Sequence, residues 1–388
     1  MQNRDKSLKK ASDVRESIRD CAYQHGFDLC CFSRPQIANQ DRKALDTWVE
    51  SNMYADMAWM AEESRLERRK DPSSMMDDVQ TVISLAMRHT PPPYSLEQSN
   101  KSSKGVISSY AHGKDYHEIM KKRLKALARD LDILLGEHEQ RVYVDTAPVL
   151  EHALAASAGL GWQGKHTLTI HRQYGSWMML GELFTSANIP ADASASEHCG
   201  SCTACIDICP TKAIVAPYVV DANLCISYLT IEYKGFIPHK LRSLMGNHIY
   251  GCDDCQAVCP WNNKAEIPDT DLLTPQGENI LPELASLLAL DEQRFREKFQ
   301  KSPVKRTGRA AFLRNVCIVM GNSGNFEFVP LLLKALYDAE PLIRGHAIWA
   351  LAALHQSQNI DGFIEELLEL KKKEENDEVL KEINMVLG

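Results

Sequence analysis

The chain contains no long hydrophobic run and no apolar stretch at its beginning. None of its apolar segments approaches the roughly 20 residues that a membrane-spanning helix needs, which excludes a helical membrane protein. The first twenty residues, MQNRDKSLKKASDVRESIRD, lack the apolar core of a secretory signal, so we expect a cytoplasmic protein. A net charge of −8 excludes a generally basic surface, although it is compatible with a local basic patch.

Twelve cysteines are the most unusual feature that is present. In a reducing compartment, thiols serve metal and redox chemistry more often than disulfides. Eight of the twelve fall within residues 191–268, a segment whose composition differs from both of its neighbours. The other four lie in apolar surroundings, and we expect buried, unreactive thiols at Cys21, Cys30, Cys31 and Cys317.

The order of predicted elements divides the chain into three parts. Strands and helices alternate over residues 1–190, which predicts an α/β domain. In that domain the segment 166–184 resembles a β-hairpin. Residues 191–268 carry the cysteines, and residues 269–388 show only helical signals.

The helical part contains a weak internal repeat. FLRNVCIVMGN at 312–322 aligns with LIRGHAIWALA at 342–352 at a period of 30. Helical segments at such a period are typical of a HEAT-like repeat. An ordinary helical bundle is the alternative.

The cysteines form two runs with the spacing of iron–sulfur ligands. The first, Cys199-x2-Cys202-x2-Cys205-x3-Cys209-Pro, is the bacterial ferredoxin pattern, in which the fourth thiolate reaches a second cluster. The second run, Cys252-x2-Cys255-x3-Cys259-Pro, lacks one cysteine, which Cys225 supplies. We therefore predict a ferredoxin-like α+β unit with two [4Fe–4S] clusters, one held by Cys199, Cys202, Cys205 and Cys259, the other by Cys209, Cys225, Cys252 and Cys255. A pair of zinc sites is the alternative reading of Cys-x2-Cys.

Several segments outside the cysteine runs resemble one family. These are YVDTAPVLEHALAASAGLGWQGKHTLTI, TIEYKGFIP and KRTGRAAFLRN, together with the two runs and Cys225 between them. The combination is similar to the epoxyqueuosine reductases from about residue 10 to 355. That resemblance implies an enzyme that uses cobalamin and two clusters to remove the epoxide oxygen of epoxyqueuosine at the tRNA wobble position, giving queuosine. It assigns residues 1–190 to cobalamin binding and catalysis, and 269–388 to tRNA.

The resemblance also implies roles for single residues in catalysis and cofactor binding. Asp145, after the strand RVYV, matches the family's proton donor, and we expect burial to raise its pKa; capping of the following helix is the alternative role. The stretch DYHEIM at 115–120 lacks the glycine of a cobalt-ligating Asp-x-His-x-x-Gly motif, so we expect base-off cobalamin with no histidine ligand. The family's cobalamin contacts align with Arg68, Ser108, Asp145, Thr169, Leu180, Ser227, Cys252 and Asp253.

A basic stretch offers a surface for RNA. KSPVKRTGRAAFLR at 301–314 contains no acidic residue, and such a patch can neutralise phosphates on an acidic protein. We predict tRNA contacts at Lys305, Arg306, Arg309 and Arg314, and base stacking on Tyr233. A solvated helix face is the alternative for the charges.

The remaining expectations concern partners and rival functions. We expect a monomer that receives electrons from an unidentified low-potential donor. Two other functions share the cluster signature. One is a cobalamin-dependent enzyme of the reductive dehalogenase type, and the other is a non-catalytic electron carrier or RNA-binding scaffold.

Overall fold

The computed structural model describes residues 14–268 and 277–388. The first helix in the described residues covers 14–24. The N-terminal part, up to residue 190, contains the following elements: α1 (14–24), β1 (Leu29–Ser33), α2 (Asn39–Glu50), α3 (Glu63–Lys70), β2 (Thr81–Arg88), α4 (Leu96–Ser99), β3 (Val106–Ile107), α5 (Tyr116–Leu135), β4 (Gln140–Val144), α6 (Glu151–Ser157), β5 (Trp162–Gln163), β6 (Thr169–Ile170) and β7 (Met178–Thr185).

Four of these strands form a sheet in the order β1-β2-β7-β4, and every neighbouring pair is antiparallel. The predicted α/β class is therefore wrong in one respect, because that class has a mainly parallel sheet. Alternation of strands and helices along the chain does not fix strand direction. Here each strand is bonded only to antiparallel neighbours in the sheet, although helices separate the strands along the chain, which makes this part an α+β fold.

Helices cover both faces of the sheet. On one face, α5 buries Met120, Leu124, Leu127 and Leu131 at helical spacing, together with apolar residues of α1. On the other face, Leu154 of α6 contacts buried side chains of β2 and β7. Side chains alternate between the faces along β7, so this central strand contributes to both layers.

The predicted hairpin at 166–184 is wrong. His171 and Gly175 do pair across a tight turn, but the flanking strands separate into different sheets. β6 pairs with β5, whereas β7 lies between β2 and β4 in the main sheet. The eight residues of β7 are almost entirely buried, and two long neighbours satisfy more of its backbone than a short hairpin partner would.

The cysteine-bearing part consists of short elements joined by loops. They are α7 (Ala204–Ile208), β8 (Ile214–Ala216), β9 (Val219–Val220), α8 (Ile226–Ile231), α9 (His239–Arg242), β10 (His248–Tyr250) and α10 (Asp254–Ala257). Two contacts tie this part to the N-terminal one. β10 pairs in parallel with β3, and the Trp48 indole Nε1 donates to the Val220 carbonyl at 2.7 Å. The cysteine loops are thus packed against the sheet domain.

From residue 277 onward the described residues contain helices and loops. The helices are α11 (Leu284–Leu288), α12 (Glu292–Lys298), α13 (Arg309–Asn322), α14 (Val329–Ala335), α15 (Pro341–Ser357), α16 (Phe363–Lys371) and α17 (Asp377–Leu387). The helical signals predicted for this part are confirmed by these elements. Both repeat segments are helical and belong to α13 and α15, which pack against each other. The HEAT-like interpretation stays a prediction, and the predicted boundary at residue 269 lies outside the described residues.

None of the helices in the described ranges combines the length and the apolar character that crossing a membrane requires.

Helices α13 and α15 approach most closely at Gly321. A Cβ at this position would lie 2.8 Å from the Ala350 Cα and 2.9 Å from the Trp349 ring. Backbone cannot move aside as a flexible side chain can, so we expect Gly321→Ala to separate the helices. Overpacking of this kind costs about 1–3 kcal/mol, which outweighs the roughly 1 kcal/mol that alanine gains in a helix.

The expected result is an unfolding midpoint lowered by several degrees in thermal denaturation of the anaerobically purified protein. The control is Gly277→Ala, where an added Cβ meets no atom within 4 Å. An unchanged midpoint in Gly321→Ala would show that the crossing tolerates the methyl group.

Candidate functional site

The structure brings the eight predicted ligand cysteines together as two neighbouring sets of thiols. In the first set, burial and then the thiols of Cys199, Cys259 and Cys202 raise the pKa of Cys205. The pKa of Cys259 is raised in the same way, by burial and then by the thiols of Cys199 and Cys202. These four cysteines are therefore close neighbours, as the predicted assignment of one cluster requires.

The second set consists of Cys209, Cys225, Cys252 and Cys255. Burial raises the pKa of Cys255 well above its ordinary value, and the next contributions come from Cys252 and Cys225. Cys225 in turn interacts with Cys209. Cys205 of the first set also contributes to the raised pKa of Cys255, so the two sets lie close together. Grouped thiols of this kind fit iron–sulfur clusters.

A buried lysine holds the loop of the first cysteine run. Lys165 Nζ donates to the carbonyl oxygens of Gly200 at 2.6 Å and Cys202 at 2.9 Å. In the second set, the Ala213 backbone N–H donates to Cys209 Sγ at 3.2 Å. Hydrogen bonds from backbone and ammonium groups of the protein thus hold these loops in place.

A cavity of about 380 Å³ lies between the sheet domain and the second cysteine set. All four thiols of that set are on its wall. Apolar side chains of β7, β8 and α8, among them Met178, Leu180, Ile214 and Ile226, contribute to the remaining surface. Six of the eight predicted cobalamin contacts also line it, namely Ser108, Thr169, Leu180, Ser227, Cys252 and Asp253. Arg68 does not line this cavity; it is exposed on α3.

Three histidines line the cavity: His89 and His166 are buried, and His152 is half-buried. Burial lowers the pKa of His152 and of His166 to about 4, so both rings are neutral. His152 Nδ1 and the Thr169 hydroxyl form a hydrogen bond of 2.8 Å. The Leu168 N–H donates to His166 Nδ1 at 3.2 Å, which leaves the hydrogen of the neutral ring on Nε2. That Nε2 is buried without a partner among the described residues.

Asp145 lies just outside the cavity, at the centre of a hydrogen-bond network. The Tyr116 hydroxyl, whose ring lines the cavity, donates to Asp145 Oδ2 at 2.5 Å. His117 Nε2 donates to Asp145 Oδ1 at 2.7 Å, and His117 Nδ1 donates to Asp115 at 2.6 Å. The Arg306 guanidinium pairs with Asp115 at 3.1 Å. Through Tyr116 the network reaches the cavity wall.

The expected direction of the Asp145 pKa is wrong. Burial by itself favours the neutral acid, but the hydrogen bonds and charge of His117, with the bond from Tyr116, outweigh it and lower the pKa of Asp145. For His117 burial disfavours the charged ring, yet the bonds to Asp115 and Asp145 raise its pKa to about 9. At pH 7 the pair is therefore an imidazolium beside a carboxylate, and His117 carries the proton.

The alternative role of Asp145 as a helix cap is also wrong. Helix α6 begins at Glu151, and its N-cap residue is Leu150, which makes no side-chain cap. Asp145 is five residues earlier, at the start of the loop that joins β4 to α6. Its side chain is 41% exposed, so it is accessible from outside as well as from Tyr116.

The basic stretch is only partly available to RNA. Lys305 and Arg306 are exposed, but Arg309 pairs with Asp338 in a half-buried position. The predicted contact at Arg314 is wrong, because this side chain is 0% exposed.

The Arg314 guanidinium instead donates to the carbonyls of Tyr233, Gly235 and Leu229 at 2.7–2.9 Å. It also lies over the half-buried Tyr233 ring, with 5.7 Å from its central carbon to the ring centroid. The arginine therefore fixes the loop after α8. The base-stacking role of Tyr233 stays a prediction.

Comparisons with known proteins identify the family. Residues 69–146 match "Epoxyqueuosine reductase QueG, DUF1730", and residues 198–262 match the "4Fe-4S double cluster binding domain". The epoxyqueuosine reductase of Xanthomonas campestris is 39% identical over 344 residues, covering 88% of this chain and 96% of its own length. The chain belongs to the epoxyqueuosine reductase family. It is an oxidoreductase with a double [4Fe–4S] domain, which sets aside the carrier and dehalogenase-type alternatives.

Other epoxyqueuosine reductases support the same assignment. The Escherichia coli K12 enzyme is 38% identical over 349 residues, or 90% of this chain and 91% of its own. A crystal structure of an epoxyqueuosine reductase with an epoxyqueuosine-modified stem loop of tyrosine tRNA has a TM-score of 0.88 and 29% identity, with coverage of 97% and 98%. The Bacillus subtilis enzyme, solved with its catalytic aspartate loop swung out of the active site, has the same TM-score at 27% identity; it also covers 97% of this chain and 98% of its own.

Sequence reasoning did not assign a role to Tyr116 or His117. Both stand in DYHEIM, at the start of α5, where Asp115 caps the helix by accepting from the His117 N–H. That cap is a recognisable signal. It fixes the first turn of the helix, from which both side chains reach Asp145.

Replacement of His117 tests the charged pair through its effect on stability. A histidine with a raised pKa stabilises the folded state fully below its unfolded pKa of about 6.5, and this stabilisation is lost as the pH rises through about 9. We therefore expect His117→Gln to lower the unfolding midpoint most near pH 6, with the difference from wild type disappearing above pH 9. Thermal denaturation across this range measures it.

The control is His138→Gln, in the turn after α5. A deficit in His117→Gln that stays constant from pH 6 to 9.5 would contradict the imidazolium–carboxylate assignment.

Proposed function

We propose that the cavity beside the second cysteine set is the site where the epoxide oxygen of epoxyqueuosine in tRNA is removed. The main support is that the four thiols of that set and six predicted cobalamin contacts line the same cavity. Tyr116, which also lines it, donates a hydrogen bond to Asp145. Electrons from the clusters and a proton from the Asp145 network would meet in this space.

The chemistry of the residues fits both implied groups. The two thiol sets fit two [4Fe–4S] clusters with the cysteine assignment predicted above. The apolar wall formed by residues such as Leu180 and Met178 suits the faces of a corrin, and the unpartnered His166 Nε2–H would donate to a peripheral amide carbonyl. Bound cobalamin would supply a strongly reducing metal centre for C–O cleavage.

In the reaction, side chains of the protein itself would hold protons and transfer them to the substrate. Removal of an epoxide oxygen as water, with an alkene left behind, consumes two electrons and two protons. His117 holds a proton at neutral pH, and Asp145, hydrogen-bonded to it, relays this proton to the oxygen as negative charge develops there. The catalytic aspartate loop of the Bacillus subtilis relative supports this role, because Asp145 begins a loop here.

The exposed residues Lys301, Lys305 and Arg306 form a basic edge beside this network, and we call it the 301–306 edge. Arg306 contacts both Asp115 and His117, with 3.3 Å to His117 Nε2. Phosphates held by this edge would place an anticodon loop near Asp145. The modified stem loop bound by a relative supports RNA as the ligand. We also propose that a low-potential donor supplies the electrons and that the chain acts as a monomer.

The proposed function is tested by the reaction itself. Anaerobic protein with reconstituted clusters and cobalamin, incubated with a reductant and epoxyqueuosine-bearing tRNA, should produce queuosine in the nucleoside digest. Asp145→Ala should lose 10²–10⁴-fold in turnover, the range typical for removing a general acid, while retaining iron and corrinoid absorption. Exposed Asp77→Ala is the control. Near-normal turnover in Asp145→Ala would remove the proton-relay role, and no product from wild type would reject the function.

Salt dependence tests the RNA surface. If the three cations of the 301–306 edge each neutralise one phosphate, a slope of about −0.7 per contact predicts roughly twentyfold weaker tRNA binding between 50 and 200 mM salt. Lys305→Ala should lower the magnitude of the slope by about 0.7. Lys372→Ala, on the exposed face of α16, should leave it unchanged. Binding that is equally salt-dependent in all three proteins would place the RNA elsewhere.

A further inference from the structure

Two glutamates lie behind the cavity, one fully buried and the other half-buried. Glu182, in the middle of β7, is 0% exposed and lies between Ser84 of β2 and Tyr143 of β4. Leu180, two residues earlier, points to the same face of the sheet and lines the cavity. Glu151 is the first residue of α6 and precedes His152 of the cavity wall. The two carboxyl groups are close enough for the charge of Glu182 to act on Glu151.

The hydrogen bonding of these carboxyl groups requires a proton. No N–H or O–H group of the described residues donates to Glu151 Oε1 or to either carboxylate oxygen of Glu182. Two ionised carboxylates only accept hydrogen bonds, so they can bond to each other only when a proton lies between them. Leaving both ionised in this position would bury two like charges without a counter-ion.

The electrostatic surroundings also favour a protonated carboxyl group in this pair. Burial, followed by the charges of Glu182 and Asp145, raises the pKa of Glu151 well above its ordinary value, and only His117 opposes this to a smaller extent. Burial also raises the pKa of Glu182 to about 8. Glu151 acts on Tyr116 as well, and the charge of Asp145 acts on both glutamates, so the pair lies within electrostatic range of the Asp145 network.

We propose that Glu151 and Glu182 share one proton at neutral pH and act as a proton store that supplies the second proton of the reaction. This inference rests on the proposed function, in which one epoxide, two electrons and two protons give one alkene and one water. Both C–O bonds break, the clusters deliver the electrons from an external reductant, and both protons form O–H bonds of the water. His117 and Asp145 hold the first proton. The second passes from the glutamate pair towards Asp145, and the pair is reprotonated from solvent.

Because the pair acts through Asp145, its members are positioning residues. Glu151 is half-buried, whereas Glu182 is fully enclosed. Exchange with Asp145 and with solvent therefore takes place on the Glu151 side, and Glu182 keeps the proton within the pair between turnovers.

Infrared difference spectroscopy of the anaerobic, cluster-containing protein tests the store without any turnover. Wild type should show the carbonyl stretch of a protonated carboxyl group at pH 7 that disappears as the pH rises above about 8. Glu182→Gln should lack this band, since its amide can donate to an ionised Glu151 and preserve the fold. Glu151→Gln should lack it as well and serves if Glu182→Gln does not fold. Exposed Glu137→Gln should retain it. Absence of the band in wild type, or its persistence in both variants, would overturn the proposal.

Turnover then tests the use of the stored proton. With epoxyqueuosine-bearing tRNA, Glu182→Gln should turn over at least about tenfold more slowly, with a larger solvent deuterium isotope effect and an unchanged KM, because general acid–base steps contribute 10²–10⁴-fold. If wild type makes queuosine and Glu182→Gln equals it from pH 6 to 9, the store is wrong and the proposed function stands. If wild type makes none, the proposed function fails while the infrared band still decides whether the pair holds a proton.

Discussion

The site depends on one buried contact between the second cysteine run and the N-terminal domain. Asp253, between Cys252 and Cys255, accepts from the Ser109 N–H at 2.7 Å and from the Ser108 hydroxyl. Because these groups are buried, loss of either partner would leave an unpaired polar atom or charge. At Gly251 the φ angle is +70° and a Cβ would lie 2.5 Å from the Ser108 Cβ, so only glycine permits this approach. This contact holds the thiols of the second cysteine run against the N-terminal domain, and the cavity is enclosed between the two.

Protons in the site are distributed by burial and by hydrogen-bond partners. Asp145 is partly exposed and accepts from Tyr116 and His117, so it stays ionised. Glu182 has no donor and is enclosed, so burial favours its neutral form. The same side-chain chemistry thus gives a carboxylate and a carboxylic acid on neighbouring strands. In the proposed reaction, which consumes protons, His117 and the glutamate pair would hold them at neutral pH.

The C-terminal helices fix the loops around the cavity as well as providing a basic surface. Arg314 of α13 donates to three backbone carbonyls near α8, and Asn315 donates to the carbonyls of Thr230 and Ile249 at 2.9 Å. These bonds join α13 to the segments that carry Cys225 and precede Cys252. The helical part is therefore continuous with the redox part, and the exposed 301–306 edge is the part of the basic stretch that we propose for RNA binding.

The sequence by itself determined the double [4Fe–4S] domain, because the cysteine spacing encodes local loop geometry, and the family, because several separated motifs match it. It also identified nine residues that line the cavity, namely the four cysteines of the second set and Ser108, Thr169, Leu180, Ser227 and Asp253. Tertiary structure alone decided the antiparallel strand order, the burial of Arg314 and the charge on Asp145. Strand direction, burial and pKa depend on partners distant in the chain: β7 lies between β2 and β4, and Asp145 meets His117 across 28 residues. Local sequence patterns indicate which ligand or motif a residue belongs to. Its protonation state and accessibility depend on the residues that surround it in the folded protein.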